Sequence, residues 1–183
     1  MVYLILLSSS ALIVWIITIY NRLVRDRNRV LTALSDIDVQ LKRRYDLIPK
    51  LVAAVQQYSR YELATLSTLT ELRSRASSIE TVSDKIPLEQ QLGQGLGKLI
   101  ALVEDYPELK ADESFLQLQN DLTEVEDHIQ YSRRYFNGAV RNLNTRISSF
   151  PDLLIAGPLG FKSHRFFELE TIAESKSPEI FDK

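Results

Sequence analysis

After Met1 the chain runs for nineteen residues, Val2 to Tyr20, without a charge. As a helix rising 1.5 Å per residue, that stretch is about 28 Å long, close to the roughly 30 Å hydrocarbon thickness of a bilayer. Apolar residues cover every face of it, so it has no polar side to turn to water as a core helix would. Ser8, Ser9, Ser10 and Thr18 reduce its hydrophobicity only modestly, because small hydroxyls bond back to their own helix. Trp15 and Tyr20 lie toward the end, where aromatic rings favour the headgroup zone. A cleaved signal peptide needs basic residues before the apolar run and a small-residue cleavage site after it. Neither is present, since no Lys or Arg precedes the run and Asn21 and Arg22 follow it. The expectation is a retained anchor over residues 1–20, bounded by Val2, Trp15 and Tyr20, with the lipid bilayer as partner through residues 2–20. Arg22, Arg25, Arg27 and Arg29 follow the span, opposed only by Asp26, so the soluble part is expected on the cytoplasmic side of the membrane.

Of the 183 residues, about 160 remain once roughly 20 are given to the membrane, enough for one domain with a substantial core. A net charge of −2 with Asp and Glu interspersed among Lys and Arg leaves no isolated basic face for nucleic acid. The absence of cysteine removes disulfides, thiolate nucleophiles and Cys-ligated zinc together.

Beyond the anchor, apolar residues recur at helical spacing. Val30, Leu34, Ile37, Leu41, Tyr45 and Ile48 form a first stripe. Pro49 lacks an amide donor and disfavours helix at Ile48, so a break or kink is expected between Asp46 and Pro49, with a second helix starting at Pro49. That helix carries Leu51, Val55, Tyr58, Leu66, Leu69, Leu72 and Ala76. Ser77, Ser78, Thr81, Ser83 and Asp84 then read as a polar loop ending at Pro87. A third helix is expected from Pro87 to Asp105 through Leu88, Leu92, Leu96, Leu99 and Val103. Gly93, Gly95 and Gly97 should weaken it by roughly 1 kcal/mol each unless close helix packing offsets them. The last helix has the strongest pattern, Phe115, Leu118, Leu122, Val125, Ile129, Ser132, Phe136, Val140, Leu143, Ile147 and Phe150, and should be about 50 Å long. Such stripes, joined by short connections, bury one another most simply as an antiparallel bundle. The expected fold is all-α: a transmembrane helix, then an antiparallel bundle of about four helices over residues 21–150. Residues 151–183 form a tail, in which Leu153 to Phe161 makes an apolar segment packed on the bundle or on the membrane surface.

These residues resemble the LemA family, a group of bacterial membrane-anchored helical proteins. The resemblance is densest at Tyr20 to Val24, at Ser35-Asp36-Ile37-Asp38-Val39-Gln40-Leu41 and at Asp46-Leu47-Ile48-Pro49. It resumes at Tyr106-Pro107-Glu108-Leu109-Lys110-Ala111, at Phe115 to Gln119, and at Phe150-Pro151 with Gly160-Phe161. Lys50, Ser132 and Leu143 depart from the family's usual Asn, Ala and Tyr. The resemblance implies about four helices behind one membrane helix. By analogy with relatives associated with membrane organisation, including magnetosome membranes, it also implies a scaffold or assembly role.

Enzyme chemistry finds no support in the sequence. A di-iron bundle needs a Glu-x-x-His pair on each of two helices, whereas the two histidines are His128, four residues after Glu124, and His164 in the tail. No Gly-x-Ser-x-Gly elbow is present, and Gly93 to Gly97 lacks the preceding strand that a phosphate loop requires. Neither a catalytic residue nor a metal nor a cofactor is expected. Lys42, Arg43 and Arg44 read as a solvated face paired with Asp36, Asp38 and Asp46, since Asp38 and Lys42 are four apart. Glu62 falls among apolar positions of the second stripe and needs a partner. Arg73 lies eleven residues on, while Gln119, Glu126 and Arg133 share a line on the last helix. Together Asp38, Arg43, Arg44, Asp46, Glu62, Arg73, Gln119, Glu126 and Arg133 form a candidate polar network or interaction surface, whose purpose is helix register or recognition of a membrane partner. The expected function is a single-pass, membrane-anchored interaction or scaffold protein that meets another membrane protein or itself. The alternative is a ligand- or metal-binding module with a polar site in the bundle core.

Overall fold

The first helix does not stop where the membrane segment ends, nor at the proline. In the computed structural model, which describes residues 1–58, 63–79 and 82–167, α1 runs unbroken over Val2–Tyr58 with Pro49 inside it. At 1.5 Å per residue it is about 85 Å long. The expected break at Asp46 to Pro49 is therefore absent, and the physical reason is specific. Pro49 has no N–H to donate to the carbonyl four residues back, that of Tyr45. Arg73 supplies the missing donor from the neighbouring helix, its Nε standing 3.1 Å from the Tyr45 carbonyl oxygen. A buried acceptor that the helix cannot satisfy is satisfied by tertiary structure instead.

The membrane segment of α1 stands almost bare of protein, with Val2, Leu4, Leu7, Val14 and Ile17 each more than half exposed. The hydroxyls of Ser8, Ser9, Ser10 and Thr18 donate to carbonyls three or four residues back, at 2.8–2.9 Å. Burial begins at Ile19 and Leu23.

Past α1 the chain returns as α2 (Leu63–Ser78) and runs out again as α3 (Val82–Val103). The second stripe is thus divided: Leu51, Val55 and Tyr58 belong to α1, and Leu66, Leu69, Leu72 and Ala76 to α2, all of them buried except Tyr58 at the exposed end of α1. The loop expected from Ser77 to Pro87 is shorter than its composition indicated. Ser77 and Ser78 close α2 with hydroxyls turned back to the Ser74 and Arg75 carbonyls, and Asp84 sits in the first turn of α3, where a carboxylate complements the helix dipole. Leu88, Leu92, Leu96, Leu99 and Val103 are buried as their spacing requires. A short α4 (Pro107–Lys110) seats Leu109 in the core. α5 (Glu113–Ser148) then runs back along the whole bundle. Asp112 caps it by accepting from the Phe115 amide at 2.9 Å. Every member of the α5 stripe is buried or partly buried except Phe150, which lies past the helix and is 77% exposed.

α1 and α5 form the long antiparallel pair, fastened near its middle by Arg44 with Glu126 and at the end nearer the uncharged run by Asp26 with Arg146. The α2–α3 hairpin covers this pair only as far down as Asp38, which pairs with Lys85. Below that level the chain beyond α5 supplies the cover. After α6 (Leu153–Ala156) the backbone turns and runs extended along α5. Asn144 donates to the His164 carbonyl and accepts from the His164 amide, both at 2.9 Å, and Asn137 does the same with Phe167 at 3.0 and 2.8 Å. Seven helical residues advance about 10.5 Å and three extended residues about 10 Å, so two asparagines seven apart match backbone sites three apart. Phe167 is thereby buried in the main core.

Gly95 faces α2 closely: a Cβ there would stand 2.7 Å from Leu69 Cδ2, whereas Gly93 and Gly97 face open space. Substituting Ala at Gly93 or Gly97 is expected to stabilise the domain by up to about 1 kcal/mol each, with Gly95→Ala gaining less or losing. Urea unfolding in detergent reads the difference. The same measurement checks the proline repair. Arg73→Met should cost about 1–3 kcal/mol in the wild-type background and distinctly less beside Pro49→Ala, which restores an amide donor to the Tyr45 carbonyl. Additive effects would show that Arg73 acts elsewhere.

Candidate functional site

Arg44 lies on the buried stripe of α1, three residues past Leu41 and four before Ile48, and is the bulkiest fully buried side chain among the described residues. The expectation that Lys42, Arg43 and Arg44 share a solvated face fails at Arg44, because helical geometry turns residue 44 inward while 42 and 43 stay exposed. A buried guanidinium needs counter-charges, and they come from two other helices. Glu89 of α3, also buried, forms an ion pair with it, and Glu126 of α5 approaches its other terminal nitrogen at 2.8 Å. The Tyr45 hydroxyl donates to Glu89 as well. Burial is the main cause that raises the Tyr45 phenol above its ordinary pKa, with Asp38 adding to the shift and Arg44 opposing it.

Arg133 completes the group. It is 8% exposed and one turn past Ile129, and its guanidinium sits 4.7 Å from the Phe167 ring centroid, a cation–π contact. Burial, reinforced by repulsion from Arg44 and opposed by Glu126, lowers its pKa to about 10, which leaves it charged at neutral pH. Two guanidinium groups thus face two carboxylates. Among the described residues Arg44 Nε, Arg133 Nε and Gln40 Oε1 have no hydrogen-bond partner.

The remaining candidate residues distribute around this cluster. Asp38 pairs with Lys85 of α3 at 3.1 Å and not with Lys42. Arg73 caps the Tyr45 carbonyl at the same level. Arg43 and Asp46 are exposed and line a shallow depression with Asp121 and Glu124. Gln119 is half-buried two helical turns from Glu126, about 10 Å away along the axis. Glu62 lies outside the described residues. His128 meets Glu124 in a surface pair at 3.5 Å, and no group of three His, Asp or Glu among the described residues is placed to hold a metal. Trp15 and Tyr20 are partly exposed on the lower part of α1, and the Tyr20 ring meets Phe161 edge-on at 6.1 Å.

Two elements of the site escaped the sequence reading. Glu89 precedes Leu92 by three residues and Leu96 by seven, so the periodicity that marks the α3 core includes it. The second is Asp26, 3% exposed at the base of the bundle. It accepts from Arg146 Nε at 2.5 Å and pairs with Arg29 at 3.2 Å, while Arg146 reaches Asp152 at 3.2 Å. Its hydrogen bond to Asp26 is the first cause raising the Arg146 pKa.

This arrangement couples α1, α3 and α5 through buried charges. Arg44→Met should leave Glu89 buried without its counter-charge and destabilise the bundle by about 3–5 kcal/mol, much of it recovered by adding Glu89→Leu. Thermal unfolding of the single and double variants checks this, and no recovery would mean that Arg44 contributes mainly through Glu126.

Comparison with known proteins accords with this architecture. The LemA family model matches residues 33–181. Protein LemA of Metamycoplasma hominis is 30% identical over 153 residues, covering 83% of this chain and 70% of that protein. The magnetosome protein MamQ of Magnetospirillum gryphiswaldense is 24% identical over 205 aligned residues, covering 97% of this chain and 75% of its own. MamQ 2 of Paramagnetospirillum magneticum is 23% identical with the same coverage. The chain belongs to the LemA family.

Proposed function

We propose that the chain is a single-pass membrane-anchored interaction or scaffold protein of the bacterial envelope, with its bundle on the cytoplasmic side, acting by binding and not by catalysis. The observation that carries this reading is the continuity of α1. One helix joins an apolar segment bare of protein contacts to a bundle fastened on it at Asp26, Arg44 and Tyr45. Such a connection holds the domain at a fixed height and orientation relative to the bilayer, as a protein that positions a partner requires and a soluble catalyst does not. Arg22, Arg25, Arg27 and Arg29 just beyond the span support the cytoplasmic side. The likeness to two magnetosome proteins supports a role at a membrane.

A second reading, a ligand-binding module, draws on the unpartnered Arg44 Nε and Arg133 Nε inside the bundle, two buried donors that a small anion or a water would satisfy. One preparation separates the two. The full-length protein extracted in mild detergent after cross-linking is expected to elute as a discrete complex containing a second membrane protein or a second copy, identified by mass spectrometry. A lone species carrying a stoichiometric metal or small molecule would overturn the scaffold reading in favour of the module.

A further inference from the structure

Beyond α5 the chain folds back against the base of α1. Ala156 of α6 is fully buried on Ile19 and Leu23, with Ile155 and Phe161 packed beside it. The return is closed by a Schellman turn. Gly160, at φ 74°, donates to the Gly157 carbonyl at 3.1 Å, and Phe161 donates to the Ala156 carbonyl at 3.0 Å. Phe161 is thereby placed against Tyr20, and Arg27 stands 5.8 Å from the centre of its ring.

The inner side of this segment is accounted for by α1, but its outer side is not. Phe150 is 77% exposed, Leu153 42%, Leu154 57% and Leu159 51%. Scattered exposed leucines need no explanation, whereas four large apolar side chains within ten residues do. Their height on the molecule identifies what covers them. The segment is pinned to Ile19 and Leu23, so it lies at the last turn of the uncharged run, where the lipid boundary falls. Arg22, Arg25, Lys162 and Arg165 are exposed around it, while among the described residues Asp26 and Asp152 at this level are engaged by Arg146. Exposed apolar side chains ringed by cations are complementary to the acyl boundary and headgroups of an anionic leaflet.

We propose that residues 150–161 form a second membrane contact, an apolar collar seated in the headgroup and acyl boundary of the bilayer that α1 crosses. The inference rests on the anchoring of α1 and adds to it. A single helix can tilt and rotate in lipid, whereas a helix with a collar fixed to one side presents a defined face of the bundle along the membrane.

The chain has no cysteine, so single labels can be introduced cleanly. The full-length chain carrying a spin label at Leu154→Cys is reconstituted in vesicles of equal parts phosphatidylethanolamine and phosphatidylglycerol. Ala11→Cys in the span and Gln117→Cys on the exposed face of α5 serve as references, and Leu159→Cys is a second probe should Leu154→Cys disturb folding. The labels at Leu154 and Leu159 are expected to shift toward the Ala11 pattern, relaxed more by oxygen than by a water-soluble nickel chelate, with the order reversed at Gln117. A water-like reading at both leucines with a lipid-like Ala11 overturns the collar alone. A water-like Ala11 overturns the anchoring on which it rests.

Discussion

The carbonyl of Tyr45 lacks a donor within its own helix because the residue four positions on is a proline, and Arg73 of α2 provides one. Much of the architecture follows from that contact. It lets α1 pass through Pro49 without losing a buried hydrogen bond, and so keeps the apolar N-terminal segment and the bundle on a single rod. It also fixes the height of α2 against α1. At the same level the Tyr45 hydroxyl and the Arg44 guanidinium engage Glu89 of α3, and Arg44 reaches Glu126 of α5. Two adjacent residues of α1 thereby tie three other helices in one layer.

A buried ion pair is a weak source of net stability, because desolvation offsets most of the attraction between the charges. Its effect on register is stronger. Leu and Val stripes can slide by a turn and still bury apolar surface, but sliding α3 or α5 past Arg44 would leave a charge without its partner. The asparagine pairs act similarly on the extended segment, since Asn137 and Asn144 accept only one alignment of the Phe167 and His164 backbone. The bundle is therefore specified by polar contacts placed at intervals along an apolar interior.

Toward the membrane the organisation changes. The α2–α3 hairpin ends near Asp38, and the α1–α5 pair below it is covered by residues 161–167 and braced by Asp26, Arg146 and Asp152. An acidic residue six positions past the uncharged run would be costly at the lipid boundary if left alone. Paired with two arginines, it instead closes the base of the domain next to the collar.

The residue pattern alone determined the long apolar N-terminal helix, the helical class, the α5 stripe almost throughout, and Arg73, Glu126 and Arg133 as polar residues of the helix faces, because hydrophobic period and charge are local properties that report which face of a helix is buried. The same period contains Arg44 and Glu89, yet Asp36, Asp38 and Asp46 near Arg44 fit a solvated face equally well, and nothing local to Glu89 names its partner. Whether a charge is buried depends on which helix lies opposite, and that is a long-range fact. The path through Pro49 is open in the sequence for the same reason: a proline reveals which carbonyl loses its partner, but only the tertiary structure decides whether a side chain 28 residues away replaces it. The placement of residues 161–167 along α5 also belonged to the tertiary structure alone, since no sequence period links an asparagine amide to the backbone of a chain that returns 20 or 30 residues later.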